Sequence, residues 1–214
     1  MKILVLGYGS YNGYLFNSCI DVALEIKNRL STSGNTVYVK ILRVSLSEVS
    51  NFFSNELEKI KPDIIIGLGM YPRARIPILE AAAINIASYR IPDADHKIYS
   101  YKRLFNDEPL IRTPIFDPVH IIEECRKINH DITVGLSIGT YLCNVLAYHI
   151  YRWSQKTGRL GVFFHIPMIS DSLMKNNMLG QGIYPFVSLN EVVEPIICVL
   201  DKLLSGFEKQ RSHK

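Results

Sequence analysis

No apolar run in this 214-residue chain approaches the ~20 residues that a membrane span requires, so the sequence offers no spanning helix. The opening stretch, Met1-Lys2 followed by ILVLG, is shorter than the apolar core of a signal peptide and gives way to a Gly/Tyr/Asn turn; it reads as a first core strand. Cysteine is scarce. Cys19, Cys125, Cys143 and Cys198 are widely spaced, with no CxxC pair and no Cys/His cluster at zinc-finger spacing. They read as reduced thiols in a reducing compartment, so a cytoplasmic protein is expected. Charge of one sign is also lacking. Of the formal +4, the last eight residues (207–214) carry three cations against one anion, leaving +2 for the rest, which is no nucleic-acid footprint. Internal repeats, low-complexity segments and linkers are absent as well, which excludes a solenoid and gives no reason to divide the chain.

What is present suits one α/β domain: 48% hydrophobic and 21% charged residues supply a single core. Apolar runs rich in Ile and Val recur at 2–6, 36–43, 62–68, 131–136 and 160–166, with the composition of strands buried on both faces. Between them lie segments of helical period at 17–32, 48–60, 118–129, 141–155 and 190–206, with Ser47, Asp117 and Ser188 as expected N-caps. The alternation predicts a three-layer α/β/α sandwich with a largely parallel twisted sheet. One domain is expected over 1–206, followed by a polar tail over 207–214. The exception is 70–116, where Pro72, Pro77, Pro92, Pro109 and Pro114 interrupt any long helix; residues 93–115 are expected to be an excursion near the site or at a subunit contact.

Chemistry concentrates in SIGTYLCNVLAYHIYRWS (137–154), where a small-residue turn leads from a strand into an amphipathic helix. Cys143 falls in the first helical turn, where unpaired N–H groups and the positive end of the helix dipole favour a thiolate. A cysteine is as a rule a small buried hydrophobe, and position alone does not overturn that. His165 ends the apolar strand GVFFHIP; if its strand and the one before Cys143 run parallel, both aim at the same sheet edge, where an imidazole could accept the thiol proton. A hydrogen-bonded core histidine is the competing account. The other histidines lie on helix faces, loops or the tail, His149 as a partly exposed side chain. Glu80, in IPILEAAAIN, sits among apolar residues and is either turned to solvent or buried with a partner.

Three short motifs then stand in order: LEAAAIN (79–85) followed by RIPD (90–93), GTYLCN (139–144) and FFHIP (163–167). Together they resemble the signatures of the pyroglutamyl peptidase I family of cysteine peptidases. GYGSYNGYLFN (7–17) is similar to that family's N-terminal motif, and SLNEVVEPI (188–196) to its last helix. The resemblance spans nearly the whole chain. It implies an α/β/α fold, homodimers or homotetramers, no cofactor and no metal, and removal of an N-terminal pyroglutamyl residue from peptides with a blocked N-terminus. It places the nucleophile on Cys143, the base on His165 and the orienting acid on Glu80. Tyr8, Tyr11, Tyr141 and Leu142 match the pocket for the pyrrolidone ring. Amides of the Gly7 to Gly13 loop, and a contribution near Arg90, are candidates for the oxyanion.

The departures fall on the substrate side. Tyr8 and Tyr11 replace phenylalanines and bring hydroxyls that need partners; Ser10 and Ser18 replace prolines, loosening the loop. Met70 stands where the family normally has a glutamine after the strand, and Pro72-Arg73 where it has paired glycines; Met70 is expected among the substrate-binding residues. A paralogue with altered acyl specificity, or a non-catalytic peptide-binding protein of the same fold, therefore stays open. A dinucleotide-binding turn at GYGSYNG has the wrong glycine spacing and lacks the acid after the second strand. Asp93, Asp95 and His96 read as solvated rather than as a metal site.

Overall fold

The computed structural model describes residues 1–11, 13–177 and 184–211, with the side chains of 207–211 excepted. Each of the five apolar runs contains a strand: β1 (Lys2–Tyr8), β2 (Thr36–Leu42), β3 (Ile64–Met70), β9 (Thr133–Gly135) and β10 (Leu160–Ile166). A sixth, β4 (Ile78–Glu80), lies inside the proline-punctuated segment and is too short to announce itself. The sheet order is β2-β1-β3-β10-β4-β9. The first four strands are parallel, whereas β4 runs antiparallel to β10 and β9 follows the direction of β4.

Strand alternation divides the interior into two cores. Ile3 and Val5 face a core shared with α1 (Ser18–Thr32), α4 (Pro118–Arg126) and α7 (Leu189–Arg211), while Leu4 and Leu6 face the opposite one, shared with α2 (Leu46–Asn51), α3 (Leu57–Ile60) and α5 (Leu142–Thr157). The helix expected at 48–60 is one helical segment in which α2 and α3 flank a π-helical turn, Phe52–Glu56. Its cap is Ser45, not Ser47: the Ser45 hydroxyl accepts from the Glu48 amide, while Ser47 donates to Asp95. Asp117 caps α4 as expected. Ser188 and Glu191 cap each other's amides at the start of α7, a reciprocal box. This helix runs on to Arg211, beyond the boundary expected at 206, and a short helix, α6 (Ser170–Lys175), was not foreseen.

The segment after Glu80 is ordered by pairing within itself. β5 (Ala83–Ile84) pairs with β8 (Ile111–Arg112), and β6 (Ile86–Tyr89) with β7 (Tyr99–Arg103). Buried Asn144 clamps this unit to α5: its side chain accepts from the Ile84 amide and donates to the Ile84 and Ile86 carbonyls. Asp93 closes the intervening loop by accepting from the Asp95 and Lys97 amides. Its carboxylate is thus committed to backbone donors. His149 is buried rather than partly exposed, packed between Phe53 and Phe105 at 4.9 Å from each ring. Burial, with Arg152 adding to it, pushes its pKa down to about 3.

Reduced thiols hold for two cysteines only. Cys19 and Cys143 are free, whereas Cys125 on α4 and Cys198 on α7 form a disulfide. Wide spacing in sequence hid a pair that helix packing brings together. Thiol titration of the unfolded, unreduced protein should therefore find two groups, and four after reduction; four at the outset would contradict the bridge. The bridge closes a loop of 73 residues. Reduction should lower stability by up to about 4 kcal/mol on chain-entropy grounds. Among the described residues no helix is long and apolar enough to cross a membrane.

Candidate active site

The expected route to the site was wrong in one respect. β9, the strand before Cys143, runs opposite to β10, so its end does not point at the edge where His165 lies. Residues 136–141 turn the chain back, and α5 then begins over the ends of β3 and β10 with Cys143 as its second residue. Gly69 makes the meeting possible. It pairs with His165 across the sheet, and a Cβ at this position would stand 2.7 Å from the Cys143 sulfur and 3.2 Å from His165 Cδ2. Bare backbone lets thiol and imidazole converge over one spot.

His165 Nδ1 lies 2.7 Å from Glu80 Oε1, which leaves Nε2 for the thiol. Glu80 is 2% exposed, so the choice left open by sequence resolves as burial with a partner. Its backbone is pinned by the Tyr151 hydroxyl, which donates to the Glu80 carbonyl, and by the Ala81 amide, which donates to the Gly135 carbonyl at 2.8 Å. Gly135 faces the carboxylate; a side chain there would collide with it. Burial pulls the His165 pKa down, but the adjacent Cys143 charge and the hydrogen bonds to Cys143 and Glu80 outweigh it, and the value rises to about 9. The raised value favours an imidazolium, the form that can give a proton to a departing amine.

These side chains open into a cavity of about 490 Å³. Tyr8, Tyr11, Met70, Tyr141 and Leu142 all line it, beside Glu80, Cys143 and His165. The nucleophile, its partners and the expected ring pocket therefore border one space. The extra hydroxyl of Tyr8 has found a partner, donating at 2.6 Å to the Leu142 carbonyl and so fixing the first turn of α5 against β1. Burial, with the Cys143 charge, drives the Tyr8 and Tyr11 pKa values well above 10, and burial followed by the Asp93 and Cys143 charges pushes Tyr141 up to about 12. All three are neutral phenols that present ring surface. Tyr141 is oriented by an edge contact with Tyr89 at 4.8 Å and by donation to the Pro92 carbonyl at 3.2 Å. These contacts come from residues just before the excursion expected at 93–115, and none of 93–115 is among the residues that line the cavity.

Other expectations shift. Ser18 does not loosen the loop: it opens α1, and its hydroxyl accepts from the Ile169 amide at 2.9 Å. Two amides expected to serve the oxyanion are already committed, Gly9 to the Leu42 carbonyl and Tyr11 to that of Tyr14. Cavity residues that sequence reasoning missed include Tyr71, Val44, Ile78 and Thr133. They come from strand ends and turns with no motif of their own; Tyr71 alone, an aromatic beside Pro72, carried a signal. Among the described residues no group of three His, Cys, Asp or Glu side chains could hold a metal.

Comparison with known proteins meets this geometry from outside. A pyrrolidone-carboxylate peptidase of Thermococcus litoralis is 28% identical over 98% of this chain and 96% of its own length. Pyrrolidone-carboxylate peptidase 1 of Saccharolobus solfataricus is 26% identical over 99% and 98%. Among solved structures, pyrrolidone carboxyl peptidase from Thermococcus litoralis superposes with a TM-score of 0.83 at 26% identity, covering 98% of this chain and 96% of that one. A mutant pyrrolidone carboxyl peptidase from Pyrococcus furiosus gives 0.86 at 23% over 97% and 100%, a likeness of fold. The pyroglutamyl peptidase family model matches residues 1–203, nearly the whole chain, and with the α/β/α sandwich already in view it settles that this protein belongs to the pyroglutamyl peptidase family.

Proposed function

We propose that the protein is a cysteine peptidase that removes N-terminal pyroglutamate by thioester acyl transfer, with Cys143 as nucleophile, His165 as base and then acid, and Glu80 as the group that orients His165. The observation that carries this reading is the convergence of Cys143 and His165 over Gly69, with His165 hydrogen-bonded to buried Glu80, at one end of an aromatic-lined cavity. The Cys143 thiolate attacks the pyroglutamyl carbonyl, and the tetrahedral adduct collapses as the His165 imidazolium gives its proton to the departing amine. Water, deprotonated by His165, then cleaves the thioester, releasing pyroglutamate and restoring the thiol. The free N–H groups of the first turn of α5 lie beside Cys143 and suit the developing oxyanion.

Tyr8, Tyr11, Tyr141 and Leu142 supply a flat, uncharged surface for a lactam ring, which carries no charge of its own. Met70 is the cavity residue that favours keeping altered acyl specificity as a second reading. It lines the cavity at 5% exposure and offers a thioether in place of an amide side chain, and so no hydrogen-bond donor to the ring. The protein acts on peptides with a blocked N-terminus, as a homodimer or homotetramer; a cytoplasmic location is kept as part of this reading, although the Cys125–Cys198 disulfide withdraws the reduced-thiol argument for it. Assembly is supported by exposed apolar side chains concentrated in one stretch, Leu110, Ile111, Ile115 and Val119. The wild type should hydrolyse a fluorogenic pyroglutamyl amide and leave the open-chain glutaminyl amide untouched, because a charged α-amine has no partner among these rings. Folded protein that cleaves other blocked acyl groups but not pyroglutamate would favour the second reading.

A further inference from the structure

The cavity does not end at the base. Gly69, His165, Ile78 and Thr133 form a continuous row of paired residues across β3, β10, β4 and β9. Cys143 lies over Gly69, and the residues of the acyl side, Tyr8, Tyr11 and Leu142, belong to β1, its following loop and the start of α5. On the far side of His165 the same cavity continues along Ile78, Thr133 and Val134, with Tyr71 at its rim. A base that protonates the departing amine stands between the acyl group and the residue that leaves. The leaving residue must therefore lie on the β4–β9 side.

Tyr71 is placed to meet it. The residue is 49% exposed, yet its ring packs at 5.9 Å from the His165 ring, tilted by 57°. Its backbone is held on both sides: the Tyr71 amide donates to the Ile166 carbonyl at 2.8 Å, and its carbonyl accepts from the Ala74 amide at 2.9 Å, closing a turn around Pro72. An aromatic ring anchored in this way and left half bare beside the base has one face available to a ligand. Ile78 makes the opposite wall apolar as well, whereas the Val134 side chain packs against the core beneath the sheet.

We propose that Tyr71, with Ile78 and Thr133, forms a subsite for the side chain that follows pyroglutamate, and that it selects apolar and aromatic residues there. The proposal rests on the peptidase reading above. It is tested by comparing kcat/KM for pyroglutamyl-phenylalanine amide and pyroglutamyl-glycine amide in wild type, Tyr71→Phe and Tyr71→Ala. The wild type should prefer the phenylalanine substrate about tenfold, the size of effect a well-placed ring contact gives. Tyr71→Phe should keep that preference, and Tyr71→Ala should bring the two substrates within about twofold, chiefly through KM. A wild type that does not discriminate, a preference unchanged in Tyr71→Ala, or a Tyr71→Phe as impaired as Tyr71→Ala would each overturn the subsite while leaving the peptidase reading intact. Failure of the wild type to cleave either substrate would remove both.

Discussion

Cys143→Ala is expected to abolish pyroglutamyl amide hydrolysis, a loss of at least about four orders of magnitude, because no other group can form the acyl intermediate. Cys19 is no substitute. It is fully buried, and burial raises its thiol pKa far above 9 despite hydrogen bonds to nearby backbone. Cys125 and Cys198 are consumed in the disulfide. Only Cys143 is both free and partly open, so a thiol alkylator applied to the folded protein should modify that residue first, and substrate should protect it. The two measurements check each other. If Cys143→Ala keeps more than about a hundredth of wild-type activity, or if the label maps to Cys19, the nucleophile has been misassigned. Stability should change little, since a half-buried thiol gives up few packing contacts on truncation.

How far the site could be read from sequence depended on the length of the elements that build it. Long Ile/Val runs reveal β1, β3 and β10 because burial on both faces forces continuous apolar composition, and His165 at the end of such a run was legible for that reason. Cys143 was legible from its turn-to-helix setting, and the family motif strengthened it. Glu80 was not, because β4 is three residues long and its pairings with β10 and β9 arise from tertiary packing rather than local pattern. Its role came through resemblance alone until the sheet supplied His165 as a neighbour. The direction of β9 was misjudged on the same account: three residues carry no directional signal. Gly69 and Gly135 are a further kind of silence. A glycine in a strand pattern looks like weakness, and only the packed site shows that one makes room for the thiol and imidazole and the other for the carboxylate. The Cys125–Cys198 pair, 73 residues apart, likewise depends on how α4 meets α7.

Glu80→Gln tests the remaining member of the series by a signature that lost stability alone would not produce. The amide can still accept from His165 Nδ1 through its oxygen, so the ring keeps its place, but the buried negative charge is gone. In the wild type His165 holds its proton up to about pH 9. Activity that needs an imidazolium to protonate the leaving amine should therefore fall on the alkaline side near that pH. Removing the charge withdraws one of the causes that raise the value, so the alkaline limb should move to lower pH and kcat should drop by about a hundredfold or more, with KM little altered. The sign for stability follows from the same shift. A histidine whose folded pKa exceeds its unfolded 6.5 contributes stability that is complete below pH 6.5 and fades as pH rises through about 9. The wild type should lose stability across that window, and the variant should lose less of it there. An alkaline limb that stays where it was in Glu80→Gln would mean that the carboxylate does not act through His165, and the triad would reduce to a cysteine–histidine pair.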